Sequence, residues 1–140
     1  MSLLKNFLIE NSDITSKESE VAVSSRFKDE KGNLLKFKIR PMTSDEFGKY
    51  QKACTTLNLA GKKRSTQFDS AKFNLMVVVN HSIDPNFKEA DLIKQLGVQT
   101  PEQAVNKTLL AGEIVELANQ ITTLSGFDND INEDIEEAKN

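Results

Sequence analysis

The 140-residue sequence has no tryptophan, one tyrosine, one histidine, one cysteine and three prolines. Each scarcity removes an explanation. Cys54 has no second cysteine to pair with, so an internal disulfide is excluded. This fits a reducing compartment. One thiol and one imidazole also cannot supply a zinc site of the Cys/His type. No apolar run approaches the ~20 residues that cross a bilayer. The N-terminus lacks the long apolar stretch and small-residue cleavage site of a signal peptide. These absences point to the cytoplasm. Apolar residues make up 38% of the chain, below the globular norm. The core is therefore modest, built of Leu, Val, Ile and Phe, with disordered ends outside it.

What the chain does have is charge, unevenly placed. The net charge is −3. Residues 128–140 hold six acids against one lysine, net −5. Residues 26–64 hold eleven bases against four acids, net +7. The polarity matters more than the mean.

Hydrophobic periodicity and punctuation divide the chain. Leu3, Leu4, Phe7 and Leu8 repeat at helical spacing, giving a short helix over 3–10. Residues 11–19 are a polar linker. Residues 20–40 alternate with period two on both sides of Asp29-Glu30-Lys31-Gly32-Asn33, the pattern of a β-hairpin ended by Pro41. Thr43 and Glu46 have capping-box spacing and open a helix over 44–57. A polar, basic loop spans 58–68. Asp69 or Ser70 caps a helix over 70–82, whose FNLMVVVN segment is apolar nearly all round and belongs at the centre. Another helix covers 88–96 and stops at Gly97. Thr100-Pro101-Glu102-Gln103 starts a helix over 101–125, a rod of roughly 37 Å. Its stripe is Val105, Leu109, Gly112, Leu117, Ile121 and Leu124. A mid-helix Gly112 suggests close approach of another backbone. The predicted fold class is α+β: a domain over 1–127 with the N-terminal hairpin packed on four to five helices, then a disordered acidic tail over 128–140.

The search for chemistry returns little. His81 ends a buried helix, where a lone histidine is a satisfied side chain more often than a ligand. Cys54 and His81 are the residue types of a nucleophile–base pair, but Cys54 sits on an apolar stripe and reads as a core residue. Gly61-Lys62-Lys63 lacks the glycine and Ser/Thr of a phosphate loop. Asp128-Asn129-Asp130 starts like a calcium loop, but Glu133 stands where glycine belongs. No cofactor and no enzyme activity are predicted.

Binding has more to work with. Arg26, Lys28, Lys36, Lys38 and Arg40 fall on one face of the expected hairpin. That face reads either as a dock for an acidic partner or nucleic acid, or as solvated charge that blocks edge pairing. The acidic tail is placed to fold back on such a face and mask it. No aromatic residue lies on the basic face to stack bases and the chain is acidic overall, which disfavours nucleic acid.

The segments SLLKNFLIEN, RFKDEKGNLLKFKIRPMTSDEF, KFNLMVVVNHSIDPNF and TPEQAVNKTLLAGEIVELANQITTLSGF, in that order and spacing, resemble the XkdN-like family of phage tail assembly chaperones. The resemblance covers residues 2 to about 127. It implies a protein of prophages and phage-like elements that coats the tape-measure protein, keeps it soluble and helps recruit tail tube subunits. It implies work in the host cytoplasm and absence from the finished virion. It transfers no catalytic or binding motif. A chaperone for long apolar helices should offer an apolar groove, which the 101–125 helix or the 3–10 helix would form or occupy. The expected contact residues are the five cations together with Leu109 and Gly112. A homo-oligomer is compatible with this reading. The alternative is a small nucleic-acid-binding or regulatory protein acting through the basic face.

Overall fold

The computed structural model describes residues 18–59 and 64–127. The expected 3–10 helix and the acidic 128–140 tail lie outside the described residues. The fold is α+β, with five α-helices and two small antiparallel sheets among the described residues. In the first sheet, β1 (Ser19–Val21), β2 (Phe37–Ile39) and β5 (Ser82–Asp84) lie in the order β1-β2-β5. The second sheet is a two-stranded hairpin of β3 (Thr55–Asn58) and β4 (Ser65–Phe68). The helices are α1 (Ser44–Cys54), α2 (Ser70–His81), α3 (Ala90–Leu96), α4 (Pro101–Thr108) and α5 (Ala111–Thr122), followed by a π turn over Thr123–Phe127.

Local chemistry explains most of these boundaries. Thr43 and Thr100 each close a complete capping box, with Glu46 and Gln103 reaching back. Asp69 caps α2 by accepting from the Lys72 amide. Gly97 ends α3 at φ 71°, a left-handed conformation that glycine adopts without a Cβ clash. α2 is the central helix and packs against α1, α4 and α5. Val77, Val78, Val79 and His81 are all buried, and only Asn80 in its last turn reaches partly to the surface. Around it lie Phe37, Ile39, Met42, Tyr50, Phe87, Ala104, Val105, Leu109, Leu117, Ala118 and Ile121.

Three expectations change. The 20–40 hairpin is narrower: only 19–21 and 37–39 pair, with Val21 opposite Phe37. Within the intervening segment Lys28 and Leu34 form an isolated bridge. The Asp29 carboxylate accepts from the Lys31 and Asn33 amides at 2.9 Å each. Alternation survives where the ladder does: Phe37 and Ile39 are buried and Lys38 is exposed, while Leu35 is 48% exposed. The 44–57 helix stops at Cys54, because Thr55 turns extended and starts β3.

The 101–125 helix is two helices. Leu109 (φ −111°, ψ 142°) leaves α4 in an extended conformation. Leu109 is buried at the break and Leu110 is 61% exposed. The Glu113 carboxylate receives the Leu110 amide at 2.7 Å, satisfying a donor that the break exposes. Gly112 sits in the first turn of α5, and a Cβ there would meet nothing within 4 Å. No backbone approaches it; a glycine so near a helix start marks the break instead.

Candidate functional site

The strand pairing that would align the five cations is confined to 19–21 with 37–39 and to one bridge at Lys28 and Leu34, and three of the five are engaged by acids. Arg26 points to the α4–α5 break. Its Nε donates to Glu113 Oε2 at 3.0 Å, and its Nη2 donates to Glu113 Oε1 at 2.6 Å and to the Thr108 carbonyl at 3.0 Å. Its guanidinium also lies 4.6 Å from the Phe27 ring centroid. The forked ion pair holds the buried Glu113 carboxyl down at about 2, since it strongly favours the charged form. Arg40 reaches both Glu46 oxygens, at 3.3 and 3.2 Å, and the Asn80 carbonyl near the end of α2 at 3.0 Å. Lys38 pairs with Glu18 at 3.3 Å. Lys28 and Lys36 are exposed. Lys36 borders a shallow groove of about 330 Å³ lined by Phe27, Leu35, Phe37 and Pro85 among others. Of the two apolar candidates, Leu109 is core and Gly112 is exposed.

The described fold leaves a different surface uncovered. The register Thr55 opposite Phe68 and Leu57 opposite Thr66 puts these four residues on one face of the β3–β4 hairpin. Thr56, Asn58, Ser65 and Gln67 occupy the other. Every residue of both strands is exposed. Leu57 is 55% exposed and Phe68 51%. Phe68 leads onto a chain of rings: Phe68 to Phe73 at 5.4 Å, Phe73 to Phe47 at 5.8 Å edge-on, and Phe47 to Phe127 at 4.8 Å. Phe127 is again 53% exposed. An apolar band thus crosses the α1–α2 surface from the hairpin to the last described residue. A two-stranded hairpin is marginal on its own in water, and contiguous apolar patches of this kind mark interaction sites. Sequence reasoning passed over the band by reading 58–68 as a loop. The available signal was the period-two pair Thr66 and Phe68, matching Thr55 and Leu57.

The polar interior is a structural network. Fully buried His81 shares a 2.9 Å hydrogen bond between Nε2 and the Tyr50 hydroxyl, with a Glu46 oxygen at 4.0 Å. Burial, then the Arg40 charge, pushes the imidazole down to about 4 against the pull of Glu46. Burial raises the Tyr50 hydroxyl. Cys54 Sγ lies 3.5 Å from Met76 Sδ, and burial raises its thiol. The partner of His81 is thus Tyr50, and the neighbour of Cys54 is a thioether; the nucleophile–base geometry is not assembled. Among the described residues no three His, Cys, Asp or Glu side chains gather as metal ligands, and no helix is long and apolar enough to cross a membrane.

The described residues form an α+β fold with an apolar band along one surface. The chain belongs to the family of phage XkdN-like tail assembly chaperone proteins, whose model matches residues 4–139. It is 30% identical over 137 residues to the phage-like element PBSX protein XkdN of Bacillus subtilis, covering 96% of this chain and 93% of that protein. It is 31% identical over 135 residues to the Bacillus subtilis protein YqbN, covering 95% and 90%. The crystal structure of YqbN superposes with a TM-score of 0.63 at 28% identity, over 79% of this chain and 86% of that one.

Proposed function

We propose that this chain binds the tape-measure protein during tail assembly and keeps it soluble, working in the host cytoplasm without entering the virion and without catalysing a reaction. The observation that carries this reading is the apolar band through Leu57, Phe68, Phe73, Phe47 and Phe127. A tape measure is a long helical client with apolar surface, and an amphipathic helix laid along such a band buries its stripe. Lys28 and Lys36 are secondary contacts for acidic flanks of the client, and the tail tube protein is a second partner. Engagement of Arg26, Lys38 and Arg40 by Glu113, Glu18 and Glu46 weighs against nucleic acid, because those charges already have counter-ions.

The test is co-expression with the tape-measure protein. Wild type should keep it in the soluble fraction, and Phe68→Ser with Phe127→Ser should not, while the variant itself stays folded by circular dichroism. Equal solubility with and without this chain sinks the client assignment. Equal rescue by the variant sinks the band.

A further inference from the structure

The two sheets treat their edges differently. Each strand of the first sheet is three residues long and carries a charge: Glu20 in β1, Lys38 in β2 and Asp84 in β5, with Pro85 directly after it. Short length, charge and proline are how edge strands avoid pairing with other chains. β3 (TTLN) and β4 (STQF) are longer, hold neither charge nor proline, and are exposed at every residue. Hydrogen-bond parity shows what that open edge offers. The Asp69 amide donates to the Cys54 carbonyl at 2.8 Å, one pair beyond Thr55 and Phe68 in the ladder. Bonded and non-bonded pairs alternate in an antiparallel ladder. Thr56 with Gln67 and Asn58 with Ser65 are therefore bonded pairs. Thr66 and Phe68 fall in non-bonded pairs, so their amides and carbonyls point away from β3. On the opposite edge the Thr55 amide already donates to the Lys52 carbonyl, which leaves β4 the more open side.

We propose that β4 pairs antiparallel with β4 of a second copy, about a twofold axis through Gln67, joining two hairpins into one four-stranded sheet. In that register Thr66 lies opposite Phe68 of the second copy, and Phe68 opposite its Thr66. Every outward amide and carbonyl of the two strands then finds a partner. Directly opposite residues share a face, so both copies present Thr66 and Phe68 on the same side. The two Phe68 residues become diagonal neighbours about 7–8 Å apart, within reach of aromatic side chains, and the two phenylalanine bands meet. A twofold contact sets residues near the axis against their own kind. β4 tolerates this because it is uncharged, whereas β1 would set Glu20 against Glu20. Two neutral Gln67 amides at the axis can donate to and accept from each other. Four strand residues a side fall far short of the about 20–30 in a standard interface, so the dimer is weak. The net charge of −3 on each copy opposes it further. The pairing rests on the strand edge and stands apart from the reading of the band as a client surface.

The test is sedimentation equilibrium of the full chain across a wide range of concentration at physiological ionic strength, for wild type, Gln67→Lys, Gln67→Glu and an equimolar mixture of the two variants. Residue 67 faces away from Phe68, so these changes leave the band intact. Wild type should pass from monomer to dimer as concentration rises. Each variant should dimerise about three- to tenfold more weakly, as like charges about 5 Å apart at a surface require, and the mixture should recover the wild-type affinity or exceed it. Gln67→Cys should form a disulfide-linked dimer on oxidation, because the non-bonded pair at the axis sets its Cα atoms about 4.5 Å apart. Ser65→Cys, off the axis, should not, and Cys54 is buried. A wild type that stays monomeric throughout overturns the proposal. So does a dimer that neither charge variant weakens, and so does a weakening that the mixture fails to reverse, since the lost contact is then not the one at the axis.

Discussion

Acid should destabilise this protein in two separable steps, and the first belongs to His81. Its imidazole is fully buried against Tyr50 and near Arg40, and titrates at about 4 in the fold against 6.5 in an open chain. A base with a lowered folded value is protonated first in the unfolded state. Stability is therefore intact above pH 6.5, falls as pH drops from there, and levels off once the folded ring also protonates near 4. Over the whole window the shift corresponds to about 3 kcal/mol, of which roughly 2 is lost by pH 5. Glu46 and Glu113, both held at about 2, act oppositely placed on the scale. Their contribution is complete above 4.5 and disappears as pH falls toward 2. The interval from pH 7 to 5 thus isolates the histidine. Urea unfolding should show a midpoint about 1 M lower at pH 5 than at pH 7, and His81→Gln, though weaker at pH 7, should be flat across that interval. Because His81 is the chain's one histidine, its ring protons also report directly, whether or not the variant folds. A folded-state titration at pH 6 or above, or a wild-type midpoint that does not move, refutes the account of the buried network.

Three further perturbations follow from the geometry. Thr43→Ala and Thr100→Ala each remove a capping-box acceptor and should cost about 1 kcal/mol by denaturant unfolding; no change would mean that water replaces the cap. Arg26→Met should lower stability by leaving the buried Glu113 without its partner, and adding Glu113→Gln should restore part of the loss in a double-mutant cycle; additive losses would deny the coupling. Gly112→Ala meets open space and should gain about 0.5–1 kcal/mol; a loss would restore the idea of close backbone approach there.

How far the sequence was legible depended on the range of the causes. Thr43, Asp69, Thr100 and Gly97 act within three or four residues of themselves, and each helix start or stop they marked is where the structure has it. Phe37 and Ile39 alternate with Lys38 as a half-buried strand requires. Failures came where a local pattern was outvoted by a distant partner. The series 105, 109, 113, 117 and 121 is a run of i+4 steps that places Glu113 inside an apolar stripe. A straight helix would have buried that acid unpaired. The fold instead breaks at Leu109 and brings Arg26 from 87 residues away. A glutamate in the stripe was therefore the visible warning, but its partner was not nameable from spacing. The same ion pair takes up Arg26, one of the five cations expected on the basic face.

The distribution of phenylalanine argues for where the selective pressure lies. Phe37 and Phe87 are buried, and Phe27 packs on Phe37. Phe47, Phe68, Phe73 and Phe127 instead form the band, none of them buried. Phe47 and Phe73 are partly buried against the core, but Phe68 and Phe127 are more than half exposed, and exposed area contributes to folding only when it is removed from water. It also incurs a risk of aggregation. That arrangement is stable in solution only if something covers the band or if net charge keeps copies apart. The net −5 carried by residues 128–140 bears on the second condition, because like charge on two copies opposes their approach. A substitution set that neutralises those acids, measured at a concentration where the wild type is monomeric, separates the two conditions. If repulsion dominates, the protein self-associates in a concentration-dependent way. If coverage dominates, it stays monomeric.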